Sequence, residues 1–320
     1  MKHHALIAKL ADGQVHSGES LATELGVSRT AIWKQLKRAQ ADGYRIETIK
    51  GRGYRLKDQV DPVLTDELAA SLPEALRARC QLEVLETVTS TNALIAQRGP
   101  APADEVQVCF ANEQTAGRGR RGRVWQSPSG ENIYLSLGLG IGGGFQVLDG
   151  LSLVVGSAIA GALEQLEVPG VTLKWPNDVL VDGRKLAGVL IELNGELEGR
   201  VNVVIGVGLN VHMIAAPDVD QPWASLATLS PETCWRRVDI AAALITHVVA
   251  AMDAFAIQGF DGFHAAWQQR DALYGKELVT VPGGEVGEGA GIDASGSYLL
   301  KTSEGVRVVR AGELSLRVVV

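Results

Sequence analysis

Two short turn signals limit the folds open to this chain more than any other feature. Asp182-Gly183 and Asn194-Gly195 each interrupt apolar, strand-like segments within residues 171–211. Asx-Gly pairs in that setting favour two-residue hairpins, because both central residues take positive φ. Successive hairpins build an antiparallel meander, so the middle of the chain is expected to be α+β, with a mixed or antiparallel sheet rather than a doubly wound one. Residues 239–255 have amphipathic helical spacing and residues 260–270 suggest a further helix. Residues 151–163 read as a buried helix, since they fall short of the ~20 residues that cross a bilayer and are broken by Ser152, Gly156, Ser157 and Gly161.

The first 57 residues have another texture. Leu21, Ala22 and Leu25 carry helical spacing, Gly26 offers a left-handed stop, and Ser28 can cap a following helix, which together predict a helix-turn-helix. Ala31, Ile32 and Leu36 then face inward. Arg29, Thr30, Trp33, Lys34 and Lys37 are left on the outside, where they suit phosphates and base edges. Residues 44–48 and 53–56 alternate like strands around Lys50-Gly51-Arg52-Gly53, a hairpin wing with a basic tip. Charge agrees with this division. Residues 28–57 hold nine basic and two acidic side chains, whereas the whole chain is net −7, so the remainder carries −14. Such a total excludes a general nucleic-acid coat and points to one local anion-binding face on an acidic body.

The expected organisation is a winged helix-turn-helix DNA-binding domain over residues 1–60, a linker at 58–64 containing Pro62, a central domain over 65–272, and a small SH3-like β-barrel over 273–320. The last rests on short β-rich pieces at 277–281, 297–302 and 306–309 between glycine clusters. The start lacks the apolar core of a secretory signal, so a cytoplasmic location is expected, with no membrane partner. Cys80, Cys109 and Cys234 are odd in number and far apart, with no CxxC. They read as reduced and buried, and no fixed protein metal site follows from them.

The segment Gly117-Arg118-Gly119-Arg120-Arg121-Gly122-Arg123 matches GxGxxG in its glycine spacing. A dinucleotide site needs an apolar strand directly before the glycines and a helix opening at them. Residues 112–116 and 124–130 promise neither. Four arginines among chain-bending glycines describe instead a clamp for a polyanion, the bland rival being a solvated basic turn. Lys174-Trp175-Pro176-Asn177-Asp178 ends one strand and Gly183-Arg184-Lys185-Leu186-Ala187-Gly188 opens another, so Lys174 and Lys185 can face one sheet surface. Thr89-Ser90-Thr91-Asn92 supplies hydroxyl and amide groups before a helical stretch. No Ser–His–Asp or Cys–His arrangement is visible, which argues against a covalent enzyme intermediate.

In this order, Ser90-Thr91-Asn92, the segment from Gln114 to Arg123, Lys174 to Asp178, Arg184 to Glu192 and Gly206-Val207-Gly208-Leu209-Asn210 make the chain resemble the biotin protein ligase family, and within it the bacterial bifunctional members that also act as biotin-operon repressors. The resemblance covers nearly the whole chain. It implies formation of biotinoyl-5′-AMP from biotin and ATP, then transfer to a lysine of a biotin carboxyl carrier protein. It also implies repression of biotin genes by a homodimer that the adenylate promotes. Biotin, ATP and Mg²⁺ travelling with ATP are the implied ligands, and operator DNA is the second macromolecular partner.

By the same resemblance Ser90, Thr91, Asn92, Gln114, Gly117, Gly119 and Gly188 would hold biotin. Arg118, Arg120 and Lys185 would close on biotin and carry the chemistry, and Arg121, Arg123, Lys174, Asn177, Asp178, Asn210 and Trp223 would serve the nucleotide. Ser28, Arg29, Thr30, Trp33, Lys34, Lys37 and Arg52 would meet DNA. Bland readings stand beside these: Trp175 as a core plug, Trp223 as a loop anchor, Asp178 as a turn former, Ser90 and Thr91 as helix caps. Residues 140–144 form a glycine-rich departure near the dimer surface of the repressor-type relatives. Two other functions remain in view. One is a lipoate or octanoate ligase, against which the arginine-dense loop argues. The other is a ligand-sensing repressor without transfer activity, which would not need so many phosphate-facing cations.

Overall fold

The computed structural model describes residues 4–10, 12–41, 44, 46–56, 61–102, 104–142, 148–195, 200–310 and 315–319. In the N-terminal unit serines set two helix starts. Ser17 Oγ accepts the Ser20 N–H at 3.0 Å before α2 (Gly18–Glu24), and Ser28 Oγ accepts the Ala31 N–H at 3.2 Å before α3 (Arg29–Ala41). Between them Gly26 takes φ +62°. With α1 (His4–Leu10) these helices enclose Leu6, Ile7, Leu10, Leu21, Ile32 and Leu36. The wing pairs β1 (Ile46–Ile49) with β2 (Gly53–Leu56), and His16 adds a single bridge to Tyr54. β1 starts two residues later than the pattern at 44 suggests, because the Tyr44 N–H still closes the end of α3 on the Ala39 carbonyl at 3.1 Å. Arg45 and Lys57 lie outside the described residues.

The central domain is a seven-stranded sheet in the order β3 (Cys80–Val88), β4 (Val106–Gln114), β5 (Asn132–Gly142), β9 (Arg200–Asn210), β8 (Arg184–Gly195), β7 (Asp178–Val181), β6 (Val171–Lys174). Only β3 and β4 are parallel, joined through α6 (Thr91–Arg98); every other neighbouring pair is antiparallel. Asp182 and Gly183 both have positive φ, as their hairpin requires. Asn194-Gly195 is not the second turn. Both residues still pair with β9; residues 196–199, and 143–147 of the glycine-rich segment, lie outside the described residues.

One sheet face buries Leu137, Val203, Ile205 and Leu209 with α7 (Leu151–Gln165) and α9 (Arg237–Gln258) in the main core; the other packs Cys109 and Val204 against Ile95 of α6. Cover on both faces explains why the central strands read as apolar runs. By length and composition α9 could cross a membrane, yet most of it is buried in this core. Short helices α4 (Thr65–Ser71), α5 (Glu74–Arg77), α8 (Leu226–Leu229) and α10 (Asp261–Gln268) complete the domain.

The expected linker is partly structural. Arg237, 1% exposed, donates from Nε to the Asp61 carbonyl at 3.0 Å and from Nη2 to Asn112 Oδ1 at 2.9 Å, and Val63 joins the main core. A buried guanidinium must be paired, and Asp61 helps to do it. Residues 57–60 lie outside the described residues.

The C-terminal unit is a barrel-like antiparallel sheet in the order β13 (Gly305–Val309), β12 (Tyr298–Thr302), β11 (Val286–Ile292), β10 (Glu277–Val281), β14 (Ser315–Val318). The sequence pattern hides β11 and β14. β11 carries glycines at 287, 289 and 291, and two are sterically required: a Cβ at Gly287 would lie 2.6 Å from the Lys301 carbonyl oxygen and one at Gly289 2.3 Å from that of Leu273. Trp175 Nε1 donates to the Gly296 carbonyl at 3.0 Å, so this tryptophan is a plug between the two units. Tyr298 Oη donates to Asp271 at 2.9 Å, and burial raises the Asp271 pKa. The three cysteines are free, but of them Cys109 alone is buried: Cys80 is half-buried, and Cys234 is exposed in the irregular stretch before α9. Burial pushes the Cys109 thiol up to about 12.

Candidate active site

Pairing across the sheet lines up Lys174, Asp178, Gly188, Gly208 and Tyr134 in one row, and Leu190, Gly206 and Ser136 in the next. Three glycines therefore form a shelf with no side chains. Trp125 lies on it: a Cβ at Gly208 would come within 2.4 Å of Trp125 Cε2, and one at Gly188 within 3.2 Å of Cζ3. Close approach of an aromatic plane to backbone is what glycine permits here.

Alternation by itself points Lys185 away from Gly188, but the β7–β8 register shifts between Val179 and Leu180, which pair with Ala187 and Lys185. Leu186 is the extra residue of this bulge. It is fully buried, while Lys185 turns onto the shelf side, its Nζ 2.7 Å from Asp178 Oδ1 and 5.3 Å from the Trp125 ring centroid.

One end of the cleft is neutral and hydrogen-bonding. Gln114 Oε1 accepts from Thr91 N at 3.0 Å and from Thr91 Oγ1 at 3.2 Å, and Gln114 Nε2 donates to Ser127 Oγ at 3.1 Å. Ser136 Oγ is placed 2.7 Å from Thr91 Oγ1 and 2.6 Å from Asn92 Oδ1. Ser90 does cap α6, accepting from the Ala93 N–H.

The other end is cationic. β4 runs to Gln114, so a strand does lead into the arginine loop, contrary to the sequence reading; the dinucleotide fold is excluded because β5, not a helix, follows. The loop closes on itself through the Arg118–Val124 bridge and the Gly119 N–H to the Arg123 carbonyl at 2.7 Å, with Arg121 at φ +57° in a 3₁₀ turn. Arg118 reaches Glu192 at 3.1 Å, Arg120 donates to Asn177 Oδ1 at 2.9 Å, and Arg121 to Ser315 Oγ of β14 at 2.9 Å. Desolvation, with Arg121 alongside, lowers the Arg120 pKa. Desolvation, with Lys185, Arg317 and Arg123 alongside, lowers that of Lys174 against the pull of Asp178. A cleft that strains its own cations in this way is relieved by an anion.

The cavity so enclosed has a volume of about 380 Å³ and is lined by Ser90, Thr91, Asn92, Gln114, Arg118, Gly119, Arg120, Arg121, Arg123, Lys174, Asn177, Asp178, Lys185 and Gly188 of the expected residues. Gly117, Asn210 and Trp223 do not line it. Gly117 packs against Ser127 and Trp125. Asn210, buried, donates to the Ala224 carbonyl at 2.9 Å, and the Trp223 backbone bridges Lys185; their neighbours Asp220, Gln221 and Pro222 form the wall instead. Sequence reasoning missed Trp125, Gly206, Gly208, Arg317 and the role of Ser136. The Gly206-x-Gly208 spacing was visible, but the strand pairing that makes it a shelf was not. Arg29, Thr30, Trp33, Lys34, Lys37 and Arg52 are exposed on the head, far from this cleft in the chain; the Ser28 hydroxyl is engaged in its cap.

A mixed sheet with such a two-ended cleft, joined to a winged helix-turn-helix, defines a ligase-type domain carrying a DNA-binding head. Residues 84–210 match the Biotin/lipoate A/B protein ligase family and residues 3–55 an HTH domain. The bifunctional ligase/repressor BirA of Salmonella typhimurium is 35% identical over 98% of this chain and 96% of its own length. The biotin–[acetyl-CoA-carboxylase] ligase of Paracoccus denitrificans is 34% identical over 72% of this chain and 98% of its own. Among solved structures, biotin protein ligase from Aquifex aeolicus in complex with biotin and ATP superposes with a TM-score of 0.64 at 27% identity, covering 74% of this chain and 98% of that one. This chain belongs to the bifunctional biotin ligase/repressor family.

Proposed function

We propose that the cleft joins biotin to ATP and that the chain passes the biotinoyl group to a lysine of a biotin carboxyl carrier protein. One observation carries this reading: a neutral hydrogen-bonding pocket and a cluster of cations face each other across one glycine shelf. Biotin has the matching halves, a neutral ureido ring and a carboxylate. Thr91, Gln114, Ser90 and Asn92 suit the ring, and Trp125 covers the apolar middle. In the first step a carboxylate oxygen attacks the α-phosphorus of ATP and pyrophosphate leaves with the broken P–O bond. In the second, the acceptor's neutral amine attacks the acyl carbon, AMP leaves, and the amine proton passes to solvent. Bringing a carboxylate to a triphosphate joins like charges, so fixed cations that need no reorganisation supply most of the assistance.

Lys185, turned inward by its bulge, is placed to bridge the carboxylate and the α-phosphate. Arg120, Arg121, Arg123 and Lys174 suit the outer phosphates, Asn177 holds Arg120, and Arg118 covers the acid. Asp178 and Asp220 are the carboxylates in the lining, and Mg²⁺ carried on the nucleotide would use them together with phosphate oxygens, offsetting phosphate charge. Asn210 and Trp223 serve by supporting the 220–222 wall.

The exposed basic face of α3 and the wing suit operator DNA. We read the head as reporting the state of the cleft, through a homodimer that biotinoyl-AMP promotes in the cytoplasm. Biotin-dependent exchange of labelled pyrophosphate into ATP, with lipoate and octanoate in parallel, tests the reaction. Exchange with biotin alone, lost in Lys185→Ala by ~100-fold or more, is expected. Exchange with lipoate would move the protein to the lipoate ligases, and exchange with no acid would make it a ligand sensor.

A further inference from the structure

Glu192 belongs to the β8 segment that forms the cleft, yet it does not line the cavity. Alternation beyond the bulge puts Gly188, Leu190 and Glu192 on one face, so Glu192 sits just past the wall. Its Oε2 receives two donors, Asn92 Nδ2 at 2.9 Å and Arg118 Nη2 at 3.1 Å. The first donor is fixed. Asn92 is 3% exposed, its Nδ2 also reaches the Leu190 carbonyl at 3.2 Å, and its Oδ1 accepts from Ser136 Oγ at 2.6 Å. Gly206 makes the room, since a Cβ there would lie 2.3 Å from Asn92 Oδ1. Arg118 differs: it rides on the arginine loop, with its side chain 47% exposed. A carboxylate on the sheet, held from the helix side by the buried Asn92 amide, thus meets a cation on the loop that covers the cleft.

Resting on the function proposed above, we propose that Glu192 is a positioning residue that latches Arg118, and with it the arginine loop, over the activated intermediate. It acts through Arg118 and touches no substrate. An acyl-adenylate is prone to attack by water, so a loop held shut protects it until the acceptor lysine arrives. Removing the carboxylate charge frees Arg118 and shortens the time the intermediate is retained. A purely structural glutamate would instead change thermal stability, with no effect tied to Arg118.

The experiment forms biotinoyl-AMP on the full chain from labelled biotin and MgATP, chases with unlabelled biotin, and follows release by filtration. Wild type, Glu192→Gln, Arg118→Gln and the double variant are compared. Glutamine keeps a carbonyl for Asn92, so the fold is retained. Each single change should speed release by about three- to fivefold, the range of a half-exposed ion pair. The double variant should release no faster than the faster single. Added salt should speed release from wild type and affect Glu192→Gln less. Release from Glu192→Gln at the wild-type rate, or multiplicative single effects, would overturn the latch. A wild-type chain that makes no biotinoyl-AMP would instead refute the ligase reading, and the latch with it.

Discussion

Lys174 shows how a single side chain records what the cleft is for. Burial and three neighbouring cations lower its pKa from 10.5, so in the empty site it loses its proton earlier than an ordinary lysine. Between the lowered value and 10.5 the unfolded chain binds more protons, so the penalty to folding is full below that window and fades as pH rises through it. ATP binding has the opposite dependence, because only the ammonium attracts phosphate. The KM for ATP should therefore begin to climb below pH 10.5, and Lys174→Arg should flatten that climb. Pyrophosphate exchange measured across the alkaline range checks both. A wild-type profile flat up to the ordinary lysine range would show that Lys174 does not serve the nucleotide.

At the scale of elements, the shelf depends on Gly188 of β8 and Gly208 of β9, which lack side chains where the two strands meet the Trp125 ring. Gly208→Ala places a methyl group against the indole, and overpacking of that kind typically costs ~1–3 kcal/mol. The variant should have a lower thermal midpoint and a raised KM for biotin, since the ring cannot move without opening the cleft. An unchanged midpoint and KM would mean that the indole has space to shift. The bulge in β8 acts in the same place by a different route. It adds one residue, Leu186, so that Leu186 goes to the core and Lys185 to the site. Both features lie beside the cleft, where irregular pairing re-aims a side chain.

For the molecule as a whole, the question is how an acidic chain with one basic head uses it. Gel shifts on DNA upstream of biotin genes, at stated salt, should show binding that strengthens with biotin and ATP. Lys34→Ala and Lys37→Ala should each reduce the slope of log affinity against log salt by roughly 0.9 if both meet phosphates. No ligand-dependent shift at any salt would leave the head a packing domain. Just beyond the head, Arg237 ties Asp61 to Asn112 in β4, two residues before Gln114. Linker residues 61–63 therefore belong mechanically to the sheet that holds the cleft.

Local chemistry made much of this legible in advance. The Ser28 cap and Gly26 stop mark the helix-turn-helix, Asp182-Gly183 marks a hairpin, and four arginines among glycines mark an anion clamp, because each depends on residues adjacent in the chain. Most of the residues that the motifs carried line the cleft, with Gly117 and Asn210 as exceptions. Pairing across strands was not legible, and it decides the rest. The Gly188–Gly208 row, the inward turn of Lys185, the partnership of Glu192 with Asn92, and the approach of Ser315 and Arg317 all join positions distant in sequence. The same long range explains the errors: Asn210 and Trp223 turned out to support the wall, the glycines of β11 hid a strand, and Asp61 was taken for linker. Sequence determined which side chains are present and how each short segment bends. Only the tertiary structure decided which of them meet, because register, bulges and close glycine contacts arise from packing between strands distant in the sequence.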